Sequence, residues 1–202
     1  MEAMAVSERG PRERMVFGAA QLIRRDGVTA TGMRAVVAHA KAPRGSLQHY
    51  FPGGKEQLVN EAVGWAGDYA GKRVARFLAE LPDPSPSGLF AAMVRQWTDE
   101  FLTAGFTSGC PVAAATVDCA DSSDSIRAAA AAAFARWTRA VAQALKGMGV
   151  PEDRAGSLAT LMISSLEGAI LIARTERDVR ALTTVARELG PVLDGCATMP
   201  TS

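Results

Sequence analysis

Residues 43–50 gather side chains that can read the edge of a base pair. Arg44 carries a planar guanidinium whose parallel donors match guanine O6 and N7, and Gln48 can pair with adenine N6 and N7. Ser46, His49 and Tyr50 can touch bases or donate to phosphates, and Gly45 lets the backbone come close to a duplex. Around them stand Thr31, Arg34, Lys41 and Lys55, hydroxyl and cationic groups of the kind that fix register on phosphates. A helix pair used for packing alone is the bland alternative, but packing has no use for the local charge. Residues 1–55 hold nine basic and four acidic side chains, while the whole 202-residue chain is nearly balanced at +1. A basic head on a mildly acidic body points to a polyanionic partner.

Other chemistries find little support. The two histidines, His39 and His49, both lie in the head, so the body has no imidazole for acid–base work. There is no nucleophile–base arrangement, glycine-rich phosphate loop or metal motif, so neither catalysis nor a cofactor is expected. The three cysteines, Cys110, Cys119 and Cys196, are odd in number and widely spaced, which argues against a disulfide framework and for a reducing cytoplasm. No uncharged apolar run reaches the ~18 residues of a membrane span. Glu167 breaks the apolar stretch 158–173, and charges spread through the first 14 residues leave no signal-peptide core.

The elements that must position these groups read as helices throughout, with no alternating strand pattern. Pro11 and Gly27 bracket a first helix over 11–26. Thr31 suits the N-cap of a short second helix through Met33, Val36 and Val37. After a break at 40–42, Pro43 opens a third, ended by 51–54, with Leu47 and Phe51 turned into the core. Two short helices across a tight turn make a helix-turn-helix pattern. A helix over 55–81 would run roughly 40 Å at ~1.5 Å per residue. Further helices follow after Pro86, over 111–120, from Ile126 to Met148, over 151–177 and over 178–194. Residues 121–124 supply caps.

The body carries a second set of candidates. Trp65, Tyr69, Met93, Trp97, Phe101, Phe106, Cys110, Phe134, Trp137, Met162 and Leu166 suit a largely apolar small-molecule cavity. Ordinary core packing suits the same residues. Glu167, within an apolar stretch, needs a role: pairing with an arginine, facing a subunit seam or meeting a cationic ligand. The segment 151–177 is apolar on nearly every side, which calls for cover by neighbours or by a second subunit.

Thr31-Gly-Met-Arg-Ala-Val-Val-Ala-His-Ala-Lys-Ala-Pro-Arg-Gly-Ser-Leu-Gln-His-Tyr-Phe-Pro-Gly-Gly-Lys-Glu-Gln-Leu58 resembles the signature of the TetR family of bacterial repressors. Thr31, Val36, Gly45, Leu47, Tyr50, Phe51, Lys55, Glu56 and Leu58 carry the match. Phe51-Pro-Gly-Gly-Lys55 and Gly109-Cys-Pro-Val112 are similar to the LmrA/YxaF-like branch. Three positions depart: Lys41 stands where the family usually has its turn glycine, Pro43 replaces a serine, and Gln48 replaces a tyrosine that commonly meets phosphate.

The resemblance implies an all-α protein: an N-terminal three-helix helix-turn-helix domain, 1–54, joined by a long helix to a C-terminal antiparallel helical ligand-binding and dimerisation domain, 55–202. It further implies a homodimer that binds a palindromic double-stranded DNA operator and is released by a small, largely apolar effector. Helices 151–177 and 178–194 are the dimerisation candidates. A helical scaffold or adaptor without specific DNA binding is the rival reading. It would lack the steep salt dependence that phosphate neutralisation imposes.

Overall fold

The computed structural model describes residues 10–43 and 45–197. Among them the chain forms nine helices and no strand: α1 Pro11–Ala30, α2 Met33–His39, α3 Ser46–Tyr50, α4 Gly54–Glu80, α5 Pro86–Ala104, α6 Pro111–Cys119, α7 Asp124–Gly147, α8 Glu152–Glu176 and α9 Arg180–Asp194. The residues pack as two compact units. One comprises the described residues up to Gly67 with Cys110–Phe134, the other Asp68–Gly109 with the described residues from Ala135 onward. The division between these units falls inside α4 and α7.

The first unit is built on α1. Pro11 sits in its first turn, where a missing N–H costs nothing, and Met15, Ala19, Leu22 and Ile23 bury one face. Gly27 leaves helical geometry at φ 82°, so α1 bends there before a last turn, 28–30. Helix α1 packs on α6 and on α2. Phe17 meets Trp65 of α4 edge to face at 5.2 Å, and Phe51, Leu58, Ala62 and Val63 complete this core. Helices α4 and α7 approach so closely at Gly67 that a Cβ there would lie 2.7 Å from the Cα of Ala133. Ala133, fully buried, is the residue of α7 that meets that approach. The start of α7 is capped by Ser123, whose Oγ accepts the Ile126 N–H at 3.2 Å and donates to Glu56 Oε1 at 2.7 Å.

In the second unit α9 packs against α5 and α8, and α5 against α8. Leu89, Phe90, Phe101, Leu145, Met162, Leu166, Ile170 and Leu182 are fully buried. Ser85 caps α5 by accepting the Gly88 N–H, and Asp194 Oδ1 accepts the Ser87 N–H at 2.9 Å, pinning the end of α9 to the start of α5. Helix α8 buries Leu158, Met162, Leu166 and Ile170 on one side, yet Leu161, Leu171 and Ile172 stay exposed, as does Val192 of α9. By length and composition alone α8 is apolar enough to cross a membrane, a test that soluble core helices also meet.

Candidate nucleic-acid interface

Helix α2 ends in a tight reversal whose hydrogen bonds are specific. The Lys41 N–H donates to the Ala38 carbonyl and the Ala42 N–H to the Val37 carbonyl, both at 3.1 Å, the paired bonds of a Schellman turn. Such a turn needs a left-handed residue, and Lys41 takes that conformation at φ 48°. This is the position at which the sequence departs from the glycine expected by resemblance. Arg14 of α1 steadies the same corner, its Nε donating to the Ala40 carbonyl at 3.1 Å.

Beyond the turn, α3 begins at Ser46, three residues later than the reading from Pro43. Pro43 lies instead in the preceding turn, where its carbonyl accepts both the Ser46 N–H at 3.1 Å and the Ser46 Oγ at 2.6 Å. Gly45 is the N-cap of α3, exposed, with open space where a Cβ would stand. Gln48 and His49 are exposed, and Tyr50 is half-buried with its ring 5.0 Å from that of His49. Phe51 is buried as expected and lies under the Arg12 guanidinium at 5.4 Å; Leu47 is only half-buried. The predicted contact Arg44 lies outside the described residues.

The flanking residues sort differently from one another. Arg34, in the first turn of α2, and Lys41 are exposed. Thr31 is buried, and its hydroxyl donates to the Gly27 carbonyl at 2.6 Å. It does not cap α2: Gly32 holds the N-cap position, because the Thr31 side chain is already engaged backward into α1. Lys55 is half-buried and its Nζ donates to the Thr29 carbonyl at 3.3 Å. The basic excess is thus partly spent inside the first unit, where Arg12 also pairs with Glu61 at 2.7 Å.

Sequence reasoning overlooked the acidic groups that hold this surface. Asp118 Oδ2, near the end of α6, accepts the N–H groups of Val28 at 2.7 Å and Thr29 at 3.2 Å. Glu56 accepts hydroxyls from Ser125 and Ser123, which hold its carboxyl below the ordinary glutamate range. The span of 90 residues between Asp118 and Val28 leaves no local signal.

Of the residues expected to line an effector cavity, Trp65, Cys110 and Phe134 fall in the first unit and the rest in the second. Met93, Trp97, Phe101, Cys110, Trp137, Met162 and Leu166 are buried; Trp65, Tyr69, Phe106, Phe134 and Glu167 are half-buried. Trp97, Phe101 and Phe106 form a ladder with ring centres 5.9 and 5.1 Å apart. Tyr69 receives a hydrogen bond from Arg73 Nη1 at 3.0 Å. A separate cleft of about 620 Å³ in the first unit is lined by Val28, Lys55, Glu56, Val59 and 122–126, none of them an expected effector residue.

Comparison with known proteins decides what this helix pair belongs to. Residues 17–62 match the model of tetR-family bacterial regulatory proteins, and residues 86–188 match the C-terminal domain of LmrA/YxaF-like transcriptional regulators. The chain belongs to the TetR family. An HTH-type transcriptional regulator of Mycobacterium tuberculosis H37Rv is 46% identical over 189 residues, covering 91% of this chain and 94% of the relative. YxaF of Bacillus subtilis is 31% identical over 182 residues, covering 90% and 94%, and LmrA of the same species is 29% identical over 167 residues, covering 83% and 88%. Among solved structures, a TetR regulator from Legionella pneumophila superposes with TM-score 0.78 at 21% identity, over 92% of this chain and 98% of that one. Reduced Escherichia coli NemR gives 0.76 at 21% identity, over 91% and 97%. This TetR-family chain is accordingly an all-helical, DNA-binding transcriptional regulator and not an enzyme.

Proposed function

We propose that this regulator acts as a cytoplasmic homodimeric repressor that reads a palindromic operator and leaves it when a small, largely apolar effector binds the body. Residues 1–54 are the reading head and residues 55–202 the effector-binding and dimerisation region. The carrying observation is the exposed face of α3, Gln48 and His49, set by the Lys41 turn beside exposed Arg34 and Lys41. The side chains best placed for bases are Gln48 and His49, with Arg44 proposed from its chemistry alone. Arg34, Lys41, Ser46, Tyr50 and Lys55 are phosphate candidates, and buried Thr31 serves by shaping the approach to α2.

One such head makes few contacts, so a symmetric pair with half-sites about one turn (~34–36 Å) apart is needed for specificity. The exposed Leu161, Leu171, Ile172 and Val192 supply apolar surface for pairing α8 and α9 with those of a second copy. Effector candidates are the Trp97–Phe101–Phe106 ladder and its neighbours in the second unit, and Trp65, Cys110 and Phe134 in the first. A coupling free energy of about 1–3 kcal/mol would change operator affinity roughly 5–150-fold.

Selection of bound duplexes from a random pool tests this reading. The expected product is an inverted repeat. Arg44→Ala should then relax preference at one position per half-site, while Lys55→Ala should weaken all sequences about equally. Failure to enrich any symmetric sequence would refute the reading.

A further inference from the structure

Three hydrogen-bonding arrangements converge on the five residues that lead into α2. Gly27 departs from helical dihedrals at φ 82° and ψ 170°, and the two amides just beyond it point at Asp118 of α6. Lys55 of α4 donates to the Thr29 carbonyl, and Thr31 donates to the carbonyl of Gly27 itself. The carboxylate acts as an N-cap supplied from another helix: it meets the first N–H groups of the turn 28–30, where negative charge is favoured. Its approach depends on glycine twice over. The φ value is one that side chains avoid, and a Cβ on Gly27 would sit 2.5 Å from Asp118 Oδ2. Helix α6, packed along α1, starts at its other end directly after Cys110, a proposed effector contact. Its nine residues span roughly 13 Å at ~1.5 Å per residue.

Resting on the operator-reading proposal above, we propose that Asp118 is a positioning residue for DNA recognition. By clamping Val28 and Thr29 to α6, it fixes the angle at which the α2–α3 pair leaves α1, and so the half-site spacing that a dimer prefers. One base pair of spacing is ~3.4 Å along the duplex and about a tenth of a turn around it, shared between two heads, so the angle set at residue 27 bears on which spacing fits.

The test uses full-length wild type, Asp118→Ala and Asp118→Asn against duplexes carrying the selected inverted repeat. Each repeat is made with its own spacer and with spacers one base pair longer and shorter. Wild type should favour its own spacing by about tenfold or more. Asp118→Ala should lose about tenfold on that spacing and less than about threefold on the others, so that discrimination collapses. Asp118→Asn keeps an acceptor oxygen and should keep most of the discrimination. A loss equal across all spacings, or none at all, overturns the proposal while leaving operator reading intact. A wild type that binds no inverted repeat removes both. Amide hydrogen exchange on the wild type gives a check that needs no variant: Val28 and Thr29 should be protected, and free exchange at both would overturn the clamp.

Discussion

At the scale of single residues, Lys41 is the clearest case of local strain kept in place. A left-handed L-residue costs about 1–2 kcal/mol relative to a right-handed one, and glycine largely escapes that cost. Lys41→Gly should therefore raise unfolding free energy by about 1 kcal/mol in urea denaturation. In operator titrations it should weaken every sequence alike and lower the salt slope by about 1. The replacement of glycine by lysine is legible in the sequence; that the turn keeps its Schellman geometry anyway is not, because it depends on bonds back to Val37 and Ala38. Glu56 offers a second test. The Ser125 and Ser123 hydroxyls lower its folded pKa below the ordinary 4.5, so the ionised form is favoured by folding. Its contribution is fully present above that ordinary value and fades as pH falls through the lowered one. Glu56→Gln should be less stable than wild type at pH 7, and the gap should narrow in denaturation curves taken as pH falls below the ordinary glutamate range. A gap that widened on acidification would contradict the assigned hydrogen bonds.

At the scale of elements, punctuation located most helices. Pro11, Pro86 and Pro111 each stand in a first turn, and Gly105 follows the end of α5. The reading failed where side chains turn back onto their own neighbourhood. Thr31 bonds Gly27 instead of capping α2, and Ser46 bonds Pro43, which delays α3. Helical spacing also identified buried faces without saying what each would meet: Trp65, expected near an effector, packs on Phe17 of α1. The same blindness hid the crossing of α4 and α7. Replacing Gly67 by alanine would ordinarily favour a helix by about 1 kcal/mol. Here the new Cβ would lie 2.7 Å from a backbone atom, which cannot yield as a flexible side chain would. Overpacking costs of about 1–3 kcal/mol should win, and Gly67→Ala should lower the melting temperature. A stabilised variant would mean that the two helices separate easily.

At the scale of the whole molecule, the basic head and apolar α8 were both visible in composition, and the second bears on assembly. Leu171 and Ile172 remain about half exposed at 53% and 49%, a costly arrangement for a lone chain if it extends over a patch. If these residues meet a second copy, Leu171→Asp should shift sedimentation equilibrium toward monomer and weaken operator binding together, with little change in helix content. The most direct measurement of the central claim is titration of a labelled inverted-repeat duplex with wild type and Gln48→Ala at two salt concentrations. The account predicts two chains per site, a steep fall in affinity with salt, and relaxed preference at one position per half-site in the variant. Salt-insensitive binding, or a Gln48→Ala variant with unchanged preference at every position, would contradict it.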